Sequence, residues 1–578
     1  MNCPSRTDEP PAHDGLNQNP PKLSGDLTTR QDLNGIVNTR TDQDFSTIPN
    51  DRYSQQDAQF DSKGDQDDGS PDLMDPGSND VRPQIHGPIQ STSSNSRDRF
   101  SAKRSFAVPS AISTAGRVLA KYGKFVGPGF MIAVAYIDPG NYATDVEAGA
   151  ATRFRHLFIV LMSNIFAILL QSLAVRLGSV TGMNLAENCR AHLPRWLNIA
   201  LYILGEAAII ATDIAEVIGS AIALNLLLKI PLVAGCAITL VDVLIILIFY
   251  NPNGNMKRLR AFEYFVMALV LGVVICFCIE LSLIEGTSVG EVFRGYLPSP
   301  AVVEGDGIYL SCGILGATVM PHSLYLGSGI VQARLRNFDT KAGGELTVTT
   351  EGSDDEKCYY KPSLAAIRWC MKYSIIEVGT SLFTFALFVN SAILITAGAS
   401  LSGDTAAQSA DLFGIHALLS RTIAPVAGTI FALALLLSGT SAGIVCTIAG
   451  QMLSEGALNW TIAPWLRRLL TRAISITPSI IIAAAVGKDG LSDALTGSQV
   501  ALSVCLPFVS APLIYFTCRD SIMIVGGAHR PSEGDGDEGR EPKKMGNHWL
   551  LSGFALVIWL VITIMNMALL VLLGLGKV

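Results

Sequence analysis

Asp138, Pro139, Gly140 and Asn141 stand together inside a long apolar stretch, and Met320, Pro321 and His322 stand inside another. A charge at the centre of a bilayer costs several kcal/mol unless something offsets it, so an intramembrane carboxylate is read as functional. Proline removes a backbone donor and glycine weakens a helix, so Asp138-Pro139-Gly140-Asn141 is expected to unwind its span and turn oxygens inward. The run from Gly316 to His322 is expected to interrupt the second stretch in the same way. Carboxylate and amide oxygens, backbone carbonyls and one thioether make a mixed hard and soft ligand set. Calcium and magnesium prefer oxygen alone, whereas the Met320 sulfur favours manganese, iron, cobalt, zinc or cadmium. Met320 also fits a plain packing role, because Met fills gaps in cores.

The elements that must position these residues are membrane helices. Of the 578 residues 49% are hydrophobic, and from about residue 125 they come in blocks of roughly 20, enough to cross a hydrocarbon core as a helix. Windows of about 19 residues place spans near 125–150, 157–179, 198–225, 231–249 and 260–284, then near 308–333, 373–399, 423–451, 470–487, 493–516 and 549–575. This is an all-α integral membrane fold of about eleven transmembrane helices. Basic residues flank the first span (Lys103, Arg104, Arg117, Lys121, Lys124) and recur in alternate connections, including Arg176, Arg190, Lys257, Arg258, Arg334 and Arg336. That pattern places the amino terminus in the cytoplasm.

The breaks fall in the first and sixth spans, five apart. Paired interruptions of this kind point to two inverted repeats with a binding site at the midplane; ordinary proline kinks are the plainer alternative. Asp213 and Glu216 are spaced i and i+3 on one face of the third span and could pass protons in series, or form a structural ion pair with Arg472. His322 suits a proton carrier or pH sensor, a metal ligand, or an interior histidine that holds the broken helix. Glu206, Asp242 and Glu377 lie in or near spans and receive no role.

On these residues the chain resembles the natural-resistance-associated macrophage protein (Nramp) family of metal and proton symporters over about residues 120–575. The likeness rests on Asp138-Pro139-Gly140-Asn141, on Ala-Thr-Asp-Ile-Ala-Glu ending at Glu216, and on Met320-Pro321-His322. Ala449-Gly450-Gln451, read as closing span eight, and Ser498-Gln499-Val500, read as opening span ten, support it. The resemblance implies two inverted five-helix repeats with unwound first and sixth helices and one added helix. It implies metal held by Asp138, Asn141, the Ala317 carbonyl and Met320, joined by Gln499 in some states. It implies a proton route through Asp138, Asp213, Glu216, His322 and Arg472, with metal and protons moving toward the cytoplasm. Ser323 stands where many members have Asn, which bears on ion preference.

The domain reading follows: a disordered cytoplasmic tail at 1–115, a transporter core at 120–520 (repeats at about 120–285 and 305–520), a flexible cytoplasmic insertion at 337–362, a polar cytoplasmic loop at 521–548 and an additional helix at 549–578. The start shows no short apolar core with a cleavage site, so no secretory signal is expected. The net charge of −7 does not suggest nucleic acid. Cysteines lack metal-finger spacing, and no cofactor is expected. The expected partners are a divalent metal ion, protons and the lipid bilayer, in the plasma membrane or an endosomal or vacuolar membrane.

Three rivals carry different chemistry. An organic-substrate symporter would leave its unwound segment free for a carboxylate, which Asp138 repels. An intramembrane aspartyl hydrolase would need Asp138 and Asp213 to share a proton, and Asp138 lacks the Gly-x-Gly-Asp setting, so no enzyme is expected. A metal-sensing receptor would bind without flux.

Overall fold

The computed structural model describes residues 127–575 except 249, 251–255, 343–347, 351–357, 403–410, 460–463 and 526–542. The 1–115 tail and the middles of the 337–362 and 521–548 segments lie outside the described residues. The remainder is almost wholly helical, as lipid requires of a chain that must satisfy its own backbone. Eight helices among the described residues are long and apolar enough to span: Leu157–Thr181, Arg195–Leu228, Met256–Ser282, Gly307–Lys341, Leu364–Ser400, Pro425–Leu458, Gly497–Cys518 and Trp549–Gly574. They serve as spans two, three, five, six, seven, eight, ten and eleven. The other three expected spans are present but shorter or more polar. Span one is split into Pro128–Val134 and Pro139–Thr152, span four is Leu232–Ile248, and span nine, Pro464–Ala485, opens with Arg467, Arg468 and Arg472.

Span seven opens at Leu364, well before the expected 373, and span nine at Pro464 rather than 470; two further differences bear on the motifs. Span eight runs on to Leu458, so Ala449-Gly450-Gln451 lies two turns inside it; the Ser454 hydroxyl bonds back to the Gly450 carbonyl at 2.7 Å within the continuing helix. The tenth helix starts at Lys488, so Ser498-Gln499-Val500 lies well inside it. Its first turns are too polar for a hydropathy window to register, yet the helix forms.

The breaks are shorter than the motifs that signal them. In span one, Ala135–Asp138 leave the helix, while Pro139, Gly140 and Asn141 already belong to the second half. In span six, only Val319 and Met320 lie between the halves, and Pro321 opens the next helix. Proline at the first helical position has the right φ and lacks an N–H that would be unpaired there anyway, so each proline starts a helix rather than sitting in the gap. Asp138 completes the first start by accepting the Asn141 N–H at 3.0 Å.

In lipid, helices associate through close packing and polar contacts, because the lipid tails are as apolar as Leu. Gly178 of span two lies against the backbone of Ser328 in span six, and Gly219 of span three against the Pro139 ring. Span three packs along spans eight and ten, and the second half of span one along the end of span seven. Span eleven is peripheral, with Leu550, Phe554, Val557 and Ile564 exposed to the surroundings.

The start of span one is clamped. The Glu377 carboxylate of span seven accepts the Gly127 and Gly129 N–H groups at 2.6 and 3.1 Å and receives Arg334 of span six at 2.9 Å. Glu263 of span five stands 4.0 Å from the same guanidinium. The ends of the 337–362 insertion are also fastened. They form a short antiparallel pair, Val348–Thr350 with Cys358–Tyr360. Asp339 accepts the Tyr360 hydroxyl at 2.5 Å, the Ser363 hydroxyl at 2.5 Å and the Ser363 N–H at 2.9 Å. Burial and the Asp339 bond push the Tyr360 phenol well above its ordinary pKa.

Gly178→Ala sets a methyl against the Ser328 carbonyl, which is backbone and cannot swing aside. It is expected to cost about 1–3 kcal/mol, seen as a lower midpoint in thermal unfolding of the purified protein. Gly553→Ala, whose added carbon meets nothing within 4 Å, should leave the midpoint in place.

Candidate metal and proton site

Both breaks meet in a layer where polar groups are buried and only partly answered. Asp138 is 1% exposed and Asn141 fully buried. Asp138 Oδ1 takes the Asn141 backbone N–H and its side-chain Nδ2, the latter at 2.8 Å. Asn141 Nδ2 also reaches the Tyr136 carbonyl at 3.2 Å. The donors of Asn141 are thereby spent, and Asp138 Oδ2 and Asn141 Oδ1 are left buried without a partner. The Gln499 amide lies directly on Gly140, donates Nε2 to Ser498 Oγ at 3.1 Å, and leaves its Oε1 bare.

Span six faces this group. Gly316 rests on the Gln499 carbonyl and the Ser503 side chain. Ala317 is buried, and the residue four places on that would normally bond its carbonyl is Pro321, which has no N–H to give. Met320 is fully buried among Ala208 and Ala211 of span three and Leu502 and Cys505 of span ten. Asp138, Asn141, Ala317, Met320 and Gln499 therefore come from spans one, six and ten, linked through Gly140, Gly316 and Gln499.

A second polar set fastens the breaks to each other. The Tyr136 and Ser323 hydroxyls are 2.9 Å apart, Gln171 Nε2 of span two donates to both at 2.9 and 2.8 Å, and Ser323 Oγ donates to the Met320 carbonyl at 2.6 Å. Ser323 thus has a defined structural partner set. Asn390 Nδ2 also donates to the Tyr136 carbonyl and the Ser438 hydroxyl to that of Ile137; Gln171, Asn390 and Ser438 were not legible as a set, because each lies in an ordinary apolar span. Their shared trait in the sequence is a hydrogen-bonding side chain at span depth.

The carboxylates of span three are paired. Arg472 of span nine bonds Asp213 and stands 3.4 Å from Glu216, with all three side chains at most 2% exposed. Cys446 of span eight completes a cluster whose possible ligand atoms lie within 4.8 Å of one another. A guanidinium already lies against both carboxylates, so this group is an ion-pair cluster rather than a vacant metal site. His322 Nδ1 is 3.2 Å from Thr212 Oγ1, which donates to the Ala208 carbonyl. The imidazole therefore joins the second half of span six to the residue beside Asp213. Glu206 is half-buried with Oε2 unpartnered, and the side chain of Asp242 lies outside those described.

A family model described as natural resistance-associated macrophage protein-like matches residues 129–530. The chain is 48% identical to the manganese transporter SMF1 of Saccharomyces cerevisiae, covering 79% of this chain and 87% of that one. It is 49% identical to the iron transporter SMF3 of the same yeast, covering 71% and 84%. Among solved structures, a manganese transporter of Eremococcus coleocola is 30% identical with a TM-score of 0.62, covering 76% of this chain and 85% of that one.

Removing one member of a buried ion pair leaves an uncompensated charge, which costs about 3–5 kcal/mol. Arg472→Met is expected to destabilise by that amount in thermal unfolding. The triple variant Arg472→Met, Asp213→Asn, Glu216→Gln should regain most of the loss, since no net charge then remains buried.

Proposed function

Because the chain belongs to the natural resistance-associated macrophage protein-like (Nramp) family, we propose that it is a secondary transporter of divalent transition metals, manganese or iron first, driven by protons toward the cytoplasm. The observation that carries this reading is the set of bare oxygens where the breaks meet: Asp138 Oδ2, Asn141 Oδ1 and Gln499 Oε1. Buried acceptors are ordinarily hydrogen-bonded, and leaving one unmade costs about 1–3 kcal/mol. Here the nearby amide donors are turned away onto other acceptors, so a cation is what the arrangement lacks. With the Ala317 carbonyl and the Met320 thioether, these oxygens make a mixed shell suited to manganese or iron over calcium.

The cargo is substrate, bound at the midplane between the two halves of each broken span. Asp138 supplies the single carboxylate, which offsets half of the divalent charge. The proton route runs from Asp138 beside His322 to Asp213 and Glu216. Two carboxylates and one guanidinium balance electrically only with a proton aboard, so the triad is a natural place for a proton to rest and pass on. The transport core is residues 120–520 as two inverted repeats, with the amino terminus in the cytoplasm of a plasma, endosomal or vacuolar membrane.

Manganese uptake into vesicles holding the purified protein tests this. An inward proton gradient should drive uptake in the natural chain, Asp138→Ala should abolish it, and in Met320→Ala calcium should compete better than before. Manganese binding without uptake under any gradient would replace transport by a sensing role.

A further inference from the structure

Three basic residues depart from the alternation of charged connections. Arg153 and Arg155 follow span one and Arg294 precedes span six, all on the face opposite the amino terminus, which the distribution of Lys and Arg otherwise leaves poorer in basic residues. The structure gathers them. All three line one cleft of about 960 Å³, between the connection of spans one and two and that of spans five and six. The two connections are pressed together there: Gly295 lies against the Phe154 carbonyl, and His156 Nε2 stands 3.3 Å from the carbonyl of Gly307, which opens span six.

Arg153 is held in place. It pairs with Glu291 at 2.7 Å, and its φ of 61° belongs to a region that glycine enters freely and a longer side chain seldom does. Residues kept in such a conformation cluster at sites of function. Arg155 and Arg294 are exposed, and neither guanidinium has a hydrogen-bond or ion-pair partner among the described residues. Three arginines against Glu291 and Glu304 leave the cleft with an excess of positive charge. Its rim is apolar. The short helix Val289–Gly295 packs Val292 and Gly295 inward and leaves Val289 and Phe293 70% and 68% exposed, while Leu297, which lines the cleft, is also exposed. Large apolar side chains bared beside arginines, on a short helix between two membrane spans, suit the boundary where acyl chains meet headgroups.

We propose that this cleft holds the phosphate of a membrane phospholipid, with Arg155 and Arg294 on its oxygens and an acyl chain along Leu297 and Phe293. A planar guanidinium matches two phosphate oxygens at once, and the excess of positive charge favours an anionic lipid over a zwitterionic one. A headgroup so held ties the chain leaving span one to the chain entering span six, and these are the two broken spans.

A diazirine-bearing phosphatidylglycerol tests the site, cross-linked by light to the full chain in phosphatidylcholine nanodiscs, with the adducts located by peptide mass spectrometry. Adducts should fall within 289–303 and dwindle when excess unlabelled phosphatidylglycerol is added. The paired variant Arg155→Ala, Arg294→Ala should cut them about tenfold or more, and Phe293→Ser should cut them too. Adducts on the peripheral span eleven should stay level in both. Adducts within 289–303 that survive the paired variant overturn the site. If those on span eleven fall in step, the label follows total charge rather than the cleft, and the proposal fails. Inorganic phosphate is the second probe: suppression of the adducts by phosphate as strong as that by unlabelled lipid would make the cleft a free-anion site and overturn the lipid.

Discussion

No water reaches the middle of a bilayer to bond a stray backbone group, so every N–H and C=O at that depth must be answered from within the chain. The two broken spans put this constraint where it costs most, and much of the interior can be read as the answer. The Tyr136 carbonyl takes Asn141 and Asn390, and the Ile137 carbonyl takes Ser438 of span eight at 2.8 Å. Spans seven and eight must therefore carry polar side chains at that depth. What these repairs leave open is as informative as what they close. Pro139 and Pro321 withhold the N–H groups that would normally reach Ala135 and Ala317, so each break retains a carbonyl without its helical partner.

The buried acids sort by the same rule. Glu377 is answered by two backbone donors and an arginine, which makes it a clasp on the start of span one. Asp213 and Glu216 share one arginine between them, which leaves room for a proton. Asp138 and Asp145 hold oxygens with no partner at all. Carboxylates of the same chemistry thus differ in how far they are answered, according to the donors that other spans bring to them.

Much of this order was legible in the sequence, for local reasons. Proline and glycine beside an intramembrane Asp signal a break because their effects act within a turn, and basic residues mark span ends. The position of each gap was less legible: Pro139 and Pro321 open the second halves, so the unwound residues are Ala135–Asp138 in one span, overlapping the motif only at Asp138, and Val319 and Met320 in the other. The starts and ends of spans eight and ten were blurred because polar residues continue both helices past their apolar cores. Glu377 was visible as a carboxylate in span seven but not its partners, and Gln171 and Asn390 gave no local signal. Glu377 meets Gly127 across 250 positions of chain, and only folding brings such partners together.

Asp339 has a consequence for how the chain tolerates variation. It binds Tyr360 and Ser363, 24 positions on at the latter, and Ser363 in turn caps span seven through the Ala366 N–H at 3.1 Å. The strand of chain between leaves and re-enters at one sealed point. Spans six and seven are therefore held to each other at that point, and a cut through the chain between would leave them joined by the Asp339 bonds. Sequence change between the two anchors is thereby separated from the spans that they fasten.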